Sequence, residues 1–336
     1  MIAIHHANSS FSDRWIAYCD ANHIAYKIVD CYRSDIIHEL DDCDALMWHI
    51  SHQNPKDILF AKQLMYSVQA AGKKVFPDFN TIWHFDDKVG QKYLLEAIKG
   101  PLVPTWVFYT KKEALAWAKT ASFPKVFKLR GGAGSANVRL AKTKSEAQHL
   151  INKAFWNGFS QYDAVGNLKE RMRKYQLGKT ELFDVLKGFI RILYPTRHAY
   201  IAGRDRGYIY FQEFIHENNY DIRVIVIGDK AFAIKRMVRD NDFRASGSGD
   251  IKYEKNNFDD ATIQLSFELS DRLQSECVAF DYIYQNKKAL LVEISYGFVK
   301  EVYDPCVGYW DKKMNWYQGP FNPYGWMVEA VQGMLG

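Results

Sequence analysis

The sequence has no run of about 18 apolar residues and does not open with a charged stretch followed by an apolar one. It therefore predicts neither a transmembrane helix nor a secretory signal. No two of the five cysteines form a C-x-x-C pair. Their odd number and wide spacing argue against a disulfide framework and predict buried, reduced thiols in a cytoplasmic protein. The Gly-x-x-x-x-Gly-Lys-Ser/Thr order of a P-loop is also absent, which excludes that type of phosphate site.

With 336 residues, of which 48% are apolar, the chain is long enough for two or three lobes with packed cores. Strand and helix patterns alternate over the first 85 residues, which predicts a small, mostly parallel, doubly wound α/β sheet. The predicted strands cover 2–5, 24–29, 45–50 and 74–76, and the predicted helices cover 10–21, 32–40 and 55–71.

Four histidines, His5, His6, His49 and His52, follow two of these predicted strands. They lie at the edge where open α/β sheets bind ligands. They are either ordinary loop histidines or part of an acceptor or acyl-substrate site.

Two predicted β-hairpins bring charged side chains together. The first surrounds the turn signal Gly228-Asp229, and the second joins residues 280–284 to 289–294 through a polar turn. The second hairpin carries Asp281 near its start and Glu293 near its end. Two carboxylates among apolar neighbours favour a divalent cation such as Mg²⁺. Solvated charges at the strand ends are the alternative.

A glycine-rich segment follows a strand that ends in Lys128. The run from Gly131 to Ser135 reads GGAGS and leads to a second short strand at 137–140. Backbone N–H groups of such a loop can close over phosphates, and a lysine at its mouth supplies positive charge. A flexible turn is the plainer interpretation of the same residues.

These parts occur in the order found in the ATP-grasp superfamily of carboxylate–amine ligases. The chain most closely resembles the branch that includes ribosomal protein S6 modification ligases and bacterial glutathione synthetases, and the resemblance spans residues 86–298. It implies an N-terminal α/β pre-ATP-grasp domain at 1–85 and a two-lobed ATP-grasp fold. The implied small lobe covers 86–211, with a basic insert at 155–208, and the implied C-terminal lobe covers 212–336.

The resemblance also implies roles for individual residues. The implied nucleotide-binding residues are Lys88, Lys128, Gly131, Gly132, Gly134, Ser135, Gln212, Glu213, Phe214, Ile215 and Asp221. The basic residues implied to face phosphates and the acyl intermediate are Arg223, Lys235, Arg236 and Arg244. Of these, Arg223, Lys235 and Arg244 are predicted to be catalytic. The implied metal ligands are Asp281, Glu293 and, where the family usually has asparagine, Ser295. A serine hydroxyl is a poorer donor than an amide carbonyl, so we expect the second metal position to be weaker or completed by water.

The implied cofactors are ATP and one or two Mg²⁺ ions, or Mn²⁺. The implied reaction activates a small-molecule or glycan carboxylate as an acyl phosphate and captures it with an amine, in bacterial surface-polysaccharide or peptide modification. Two alternatives are left open. One is a phosphotransferase that stops at a phosphorylated hydroxyl, and the other is a nucleotide-binding protein without turnover.

Residues 169–206 hold ten Lys or Arg against four acids, a net charge of +6 that exceeds the +5 of the whole chain. Apolar residues recur at helical spacing from Leu182 to Leu193, which predicts a basic amphipathic helix. A core-facing helix or a homodimer contact is the plain interpretation. Docking of an anionic or lipid-linked substrate, or of a membrane surface, is the alternative. Nucleic acid is not expected, because aromatic and basic side chains do not interleave there.

The aromatic tail, residues 303–327, is rich in Tyr, Trp, Pro and Gly. We expect it to wrap over the C-terminal lobe as an ordered loop.

Overall fold

The computed structural model describes residues 1–8, 10–52, 54–132, 138–160, 168, 171–173, 175–176, 180–193, 200–201, 203–238 and 250–333. The chain forms two compact units. The first unit comprises 1–51, 56–103 and 215–336, and the second unit comprises 52–55 and 104–214. The division into three domains drawn from the sequence stays a prediction.

The secondary structure is mixed. The strands are β1 Ile2–His5, β2 Tyr26–Val29, β3 Ala45–Trp48, β4 Lys74–Phe76, β5 Thr105–Phe108, β6 Lys125–Lys128, β7 Val138–Ala141, β8 Phe159–Ser160, β9 Arg204–Asp205, β10 Ile209–Glu213, β11 Tyr220–Ile227, β12 Lys230–Met237, β13 Ile251–Lys252, β14 Cys277–Gln285, β15 Lys288–Ser295, β16 Gly308–Asp311 and β17 Trp316–Gln318. The α-helices are α1 Ser12–Ala21, α2 Ile36–Glu39, α3 Pro55–Ala70, α4 Phe79–Ile82, α5 Lys88–Ala97, α6 Lys111–Thr120, α7 Lys144–Phe155, α8 Leu182–Leu193, α9 Asp260–Leu273, α10 Lys300–Tyr303 and α11 Pro323–Val331.

The N-terminal part of the first unit contains the predicted α/β sheet. Its four strands pair in parallel in the order β2-β1-β3-β4. Every residue of β1 and β3 is buried, as expected of central strands in a parallel sheet with covered faces. The βα alternation of the sequence is therefore confirmed.

The C-terminal part of the first unit is a seven-stranded sheet built around the two predicted hairpins. Strands β11 and β12 pair across the turn at Gly228, whose φ of 56° lies in the left-handed region. Strands β14 and β15 pair across Asn286 and Lys287, which both have positive φ. Two-residue loops of this type suit the twist of a hairpin.

The two faces of this sheet have different neighbours because side chains alternate along each strand. One face, which includes Ile225, Ile234 and Ala279, packs into the same core as β1 and β3. The opposite face, which includes Phe280 and Tyr282, packs against α9. Charged residues continue the first face beyond its apolar part, and they form the site described below.

The second unit contains an antiparallel sheet in the order β5-β10-β6-β7. Helices α6 and α7 pack on it through Ala114, Ala118, Ala147 and Ile151. The amphipathic pattern after residue 180 forms α8, as predicted.

The aromatic tail differs from the expected loop. Strand β16 pairs with β12 and with β17, and α11 follows. Two short strands give too few alternations to be recognised in a sequence. Helix α11 is buried on nearly every side, so it has no amphipathic period.

All five cysteines are buried and none forms a disulfide, which agrees with the prediction of free thiols. Across the described residues, no helix is both long and apolar enough to cross a membrane.

Candidate functional site

Arg223 and Asp281 lie opposite each other on the adjacent strands β11 and β14. Arg223 Nη1 donates to both carboxylate oxygens of Asp281, at 3.1 and 3.3 Å, and Nη2 donates to the carbonyl of Gly297 at 2.8 Å. Its Nε is buried and has no hydrogen-bond partner among the described residues. A buried N–H without a partner costs free energy, so this donor is available to an anionic group.

Arg236 joins the same cluster from β12. Its Nε and Nη2 donate to the two oxygens of Asp221 at 2.6 and 2.8 Å, and Nη2 also donates to Asp281 Oδ1 at 2.9 Å. Asp221 and Arg236 are cross-strand partners. The planar guanidinium therefore binds one carboxylate with both nitrogens and bridges to a second.

Glu293 completes the row on β15. It pairs with Asp281 across the ladder, and the register shifts between Asp281 and Tyr282, where Val292 is the extra residue on β15. This β-bulge sends Leu291 into the apolar core and Glu293 to the charged face, although the two lie only two residues apart. Bulges of this kind redirect side chains beside functional sites.

Lys88 is the cation that faces Glu293, with Nζ 3.0 Å from Oε1. It is the first residue of α5, because the Asp87 side chain caps the helix by accepting from Val89 and Gly90 N–H groups. Gln91, on the next turn, accepts from the Ile294 N–H at 3.3 Å and so attaches α5 to β15. The cap and this bond together place Lys88 opposite Glu293.

The electrostatics of the cluster reflect its burial. Burial lowers the pKa of Lys88, but Glu293, Asp86 and Asp87 outweigh burial and hold the pKa above its ordinary value. The lysine is therefore charged. Burial raises the pKa of Asp221 even though Arg236 lies against it. Such displaced pKa values are common where charge is arranged for function.

Of two other predicted residues, Ser295 lies beside this cluster and Lys235 does not. Ser295 lies on β15, and its hydroxyl donates to the Gly297 carbonyl at 3.4 Å. Lys235 alternates with Arg236 and so lies on the opposite face of the sheet, with Nζ 3.9 Å from the centre of the Tyr220 ring. The sheet thus brings Arg223, Asp281 and Glu293 together and places Lys235 apart from them.

A second group of predicted residues lies in the second unit. Lys128 and Gln212 are buried on adjacent strands, and Lys128 Nζ donates to Gln212 Oε1 at 2.7 Å. Gln212 Nε2 in turn donates to Thr105 Oγ1 at 3.2 Å. Glu213 forms an ion pair with Lys125 through both carboxylate oxygens, at 2.8 and 2.9 Å. Lys128 is thus held by a neutral amide, which leaves its charge uncompensated by that contact.

Strand β10 carries Gln212 and Glu213, two of the residues that the resemblance assigns to nucleotide binding, and it lies between two neighbouring strands. Its backbone pairs with β5 on one side and with β6 on the other. The Glu213 N–H still donates to the Pro104 carbonyl. Only Phe214 and Ile215, just after the strand, lie beyond this ladder.

The glycine-rich segment is described in part. Gly131 is buried, and Gly132 has a φ of 109°, a conformation that favours glycine. Gly134 and Ser135 lie outside the described residues, as does Arg244. Their predicted roles stay predictions.

The predicted loop histidines have structural partners. His6 Nδ1 lies 3.0 Å from Ser12 Oγ. His5 is buried, its Nδ1 accepts from the Cys31 N–H at 3.1 Å, and burial lowers its pKa. His49 Nδ1 accepts from the Phe11 N–H at 3.1 Å, and the two rings stack 3.8 Å apart. His49 Nε2 lies beside Gly297, because a side-chain carbon built there would be 3.8 Å from it. His49 is therefore next to the carbonyl that Arg223 binds.

The cluster offers oxygen donors of the type that Mg²⁺ binds. In the described part of the chain, no three His, Cys, Asp or Glu side chains are grouped to hold a metal by themselves. Two facing carboxylates suffice for Mg²⁺ when phosphate oxygens and water supply the other ligands. The carboxylates of the cluster already contact Lys88, Arg223 and Arg236. The site therefore fits a Mg²⁺ that arrives with phosphates, which bring their own negative charge.

The resemblance implied that both Lys235 and Arg236 face phosphates. Because side chains alternate along a strand, only one of the two can share a face with Arg223, and the sequence pattern does not say which. Tyr303, in contrast, was not indicated by the sequence as a residue beside the cluster. Tyr303 is buried, and burial raises its pKa while Arg223 and Arg236 oppose the rise. Its phenol therefore lies close enough to both arginines to feel their charge, a placement that no local sequence signal predicts.

The chain is similar to known proteins over part or all of its length. Residues 199–301 match the model of the RimK-like ATP-grasp domain. The alpha-aminoadipate–LysW ligase LysX of Saccharolobus solfataricus is 19% identical over 278 residues, which cover 80% of this chain and 82% of that protein.

Two solved structures share the fold at low sequence identity. The RimK domain ATP-grasp protein of Sphaerobacter thermophilus has a TM-score of 0.57 and 13% identity, and the match covers 100% of this chain and 99% of that one. The biotin carboxylase domain of the Hydrogenobacter thermophilus 2-oxoglutarate carboxylase, solved with MgADP, has a TM-score of 0.59 and 12% identity, covering 99% of this chain and 69% of that one. The chain therefore has the fold of ATP-grasp proteins, and its residues 199–301 match the RimK-like ATP-grasp domain.

Proposed function

We propose that this protein is an ATP-dependent carboxylate–amine ligase. The observation that carries the proposal is the row of Arg223, Asp281 and Glu293 across three strands, with Arg236 and Lys88 against the two carboxylates. The RimK-like match at 199–301 and the likeness to a ligase along 80% of the chain support it.

The proposed reaction has two steps. An oxygen of the substrate carboxylate attacks the γ-phosphorus of ATP, ADP leaves, and an acyl phosphate forms. The amine nitrogen then attacks the acyl carbon, phosphate leaves and the nitrogen loses a proton, giving an amide. Arg223 and Arg236 neutralise the anionic groups of both steps, and the buried Arg223 Nε supplies a preorganised donor.

Nucleotide binding is assigned to residues of the second unit and of its C-terminal border. Lys128, Gly131 and Gly132 bind phosphates through charge and backbone N–H groups. Phe214 and Ile215, the two residues that follow β10, are assigned to the adenine end of the nucleotide, as the resemblance to ATP-grasp ligases implies. Gln212 and Glu213 then act by holding Lys128 and Lys125 in place.

Asp281 and Glu293 would hold the metal, and bound Mg²⁺ or Mn²⁺ would neutralise charge on the phosphate oxygens. Ser295 would complete a second metal position through its hydroxyl or through water. Lys88 orients Glu293 through their ion pair at 3.0 Å.

The substrates are proposed by class. His49, beside the Gly297 carbonyl, marks the end of the N-terminal sheet as part of the acceptor or acyl-substrate site. The net charge of +6 in residues 169–206 favours an anionic substrate, such as a uronic acid, an acidic peptide or a lipid-linked sugar phosphate. Action on surface polysaccharide or peptide in the cytoplasm is consistent with five free thiols and a supply of ATP.

The test is a screen of amino acids against uronic acids and peptides in the presence of ATP and Mg²⁺, with ADP release as the signal and mass spectrometry of the product. A ligase yields an amide and free phosphate. We expect Glu293→Gln to lower turnover at least about tenfold, because it removes half of the anionic pair. Glu301→Gln, at an exposed glutamate of the same unit, is the matched control.

Other products would contradict the proposal. A stable phosphoester would identify a phosphotransferase. ATP binding without ADP release from any pair would identify a nucleotide-binding protein. Equal turnover in Glu293→Gln and Glu301→Gln would remove Glu293 from the site.

A further inference from the structure

Helix α8 presents an apolar surface that the described protein does not cover. Leu182, Phe183, Leu186, Phe189 and Ile190 are each between 51% and 62% exposed. Successive residues of an α-helix lie about 100° apart, so these five side chains occupy one arc of about 120°. We refer to these five residues as the apolar face of α8.

The neighbouring side of α8 is where the helix packs on its own unit. Val185 is 7% exposed, and a side-chain carbon at Gly188 would meet Leu168 at 2.9 Å and Arg171 at 3.1 Å. Arg171 also donates to the Asp184 carbonyl at 3.0 Å. Among the residues that the structure describes, the helix therefore packs through this side and not through its apolar face.

Positive charge lines the other edge of the apolar face. Lys187 lies over the Phe183 ring, 4.5 Å from its centre, and Arg191 follows on the next turn. Asp184, the acid on this side of the helix, is bound by Thr180 and lies near Arg171 and Lys187. The segment 169–206 around the helix has a net charge of +6.

The apolar face of α8 and the positive charge beside it together indicate what kind of partner binds there. A second copy of the chain would bring the same net charge of +6, and like charges would oppose the contact. A convex helix face with aromatic and aliphatic side chains, edged by Lys and Arg, suits a deformable surface that is apolar inside and anionic outside. Exposed Trp156 and Tyr200, before and after this segment in the chain, are of the type that favours the membrane–water interface.

We propose that α8 docks this protein reversibly on an anionic lipid bilayer, with its apolar face in the headgroup region and Lys187 and Arg191 against the lipid charges. The attraction weakens as salt shortens the screening length to about 8 Å at physiological ionic strength. Docking requires neither ATP nor turnover, so it stands or falls separately from the ligase activity.

The experiment is flotation of the full chain with two kinds of vesicle, pure phosphatidylcholine and phosphatidylcholine mixed with phosphatidylglycerol. We expect binding to the anionic vesicles at low salt and at least about tenfold weaker binding to the neutral ones. The triple variant Leu186→Ser/Phe189→Ser/Ile190→Ser should weaken anionic binding at least about tenfold. Lys187→Gln/Arg191→Gln should weaken binding and reduce its salt dependence.

The matched control is Ile28→Ser/Ile37→Ser/Phe60→Ser, which removes three similarly exposed apolar side chains from the first unit. It should bind as the parent does. Because the substituted apolar residues and Lys187 are exposed and Arg191 is half-buried, circular dichroism should show an unchanged fold. Equal binding of the parent to both vesicles, or parental binding by the α8 triple variant, would overturn the proposal. Loss of self-association in that variant, without vesicle binding by the parent, would instead assign the face to a second copy.

Discussion

Arg236 is the residue on which the charged cluster depends most. Its guanidinium binds Asp221 through two nitrogens and reaches Asp281 on another strand. Both carboxylates are largely buried. Removing one partner of such a pair leaves a buried charge uncompensated, which is costly.

Arg236→Lys keeps the charge but cannot bind one carboxylate with two nitrogens and bridge to another. We expect turnover to fall about tenfold or more and the free energy of unfolding to fall by about 1–3 kcal/mol. Lys235→Arg is the matched control, because Lys235 lies on the opposite face against Tyr220. Urea unfolding and ADP release measure the two effects. Equal turnover and equal free energy of unfolding in Arg236→Lys and Lys235→Arg would show that the cluster does not depend on Arg236.

At the scale of elements, strand β6 and its neighbour β10 hold one buried lysine in place. Lys128 and Tyr210 are paired across the ladder, and Gln212 on β10 accepts from Lys128 Nζ. This contact fixes the position of the Lys128 ammonium group on the buried side of the strand pair. The strand pair thus acts as a rigid support for a phosphate contact.

Lys128→Met preserves the apolar stem of the side chain and removes its charge. Loss of a charge-assisted phosphate contact should weaken ATP binding by about 1.5–3 kcal/mol, or roughly tenfold to 150-fold. Calorimetry measures the ATP affinity, and circular dichroism checks the fold. Lys112→Met, at an exposed position of α6 in the same unit, should leave the affinity unchanged. Unaltered ATP affinity in Lys128→Met would remove this lysine from the nucleotide site.

At the scale of the whole molecule, stability should depend on one buried acid. Glu276 precedes β14 and lies near Asp78, the N-cap of α4. Burial, with Asp78 adding to it, raises the pKa of Glu276 to about 8. Burial likewise raises the pKa of Asp78. The folded chain therefore holds a proton that the unfolded chain has already lost at neutral pH.

The sign of the pH dependence follows from this difference. Between the ordinary pKa of glutamate and about 8, the folded state binds more protons, so rising pH lowers the free energy of unfolding by up to about 1.4 kcal/mol per pH unit. Glu276→Gln removes this dependence. Relative to the parent, the variant should gain stability as pH rises from 5 to 8, as measured by urea unfolding. Glu268→Gln, on the exposed side of α9, should track the parent at every pH. If the free energies of unfolding of Glu276→Gln and of the parent change in parallel between pH 5 and 8, Glu276 is ionised in the folded chain over that whole range.

Local sequence signals determined most of the secondary structure of this protein. Alternation along each strand, positive-φ turns at Gly228 and Asn286-Lys287, and the helical stripe of α8 each depend on residues close together in the chain. The order of these parts was enough to predict the fold and to select Asp281, Glu293 and Arg223.

Tertiary structure decided which of these residues meet. The bulge at Val292 turned Glu293 to the face of Asp281, and ladder register chose Arg236 rather than Lys235. The tail became two strands and a buried helix because β12 offered an edge to β16 and α1 packed against α11. Each of these outcomes depends on contacts between residues far apart in sequence, and a local pattern contains no information about register or about which surface will cover it.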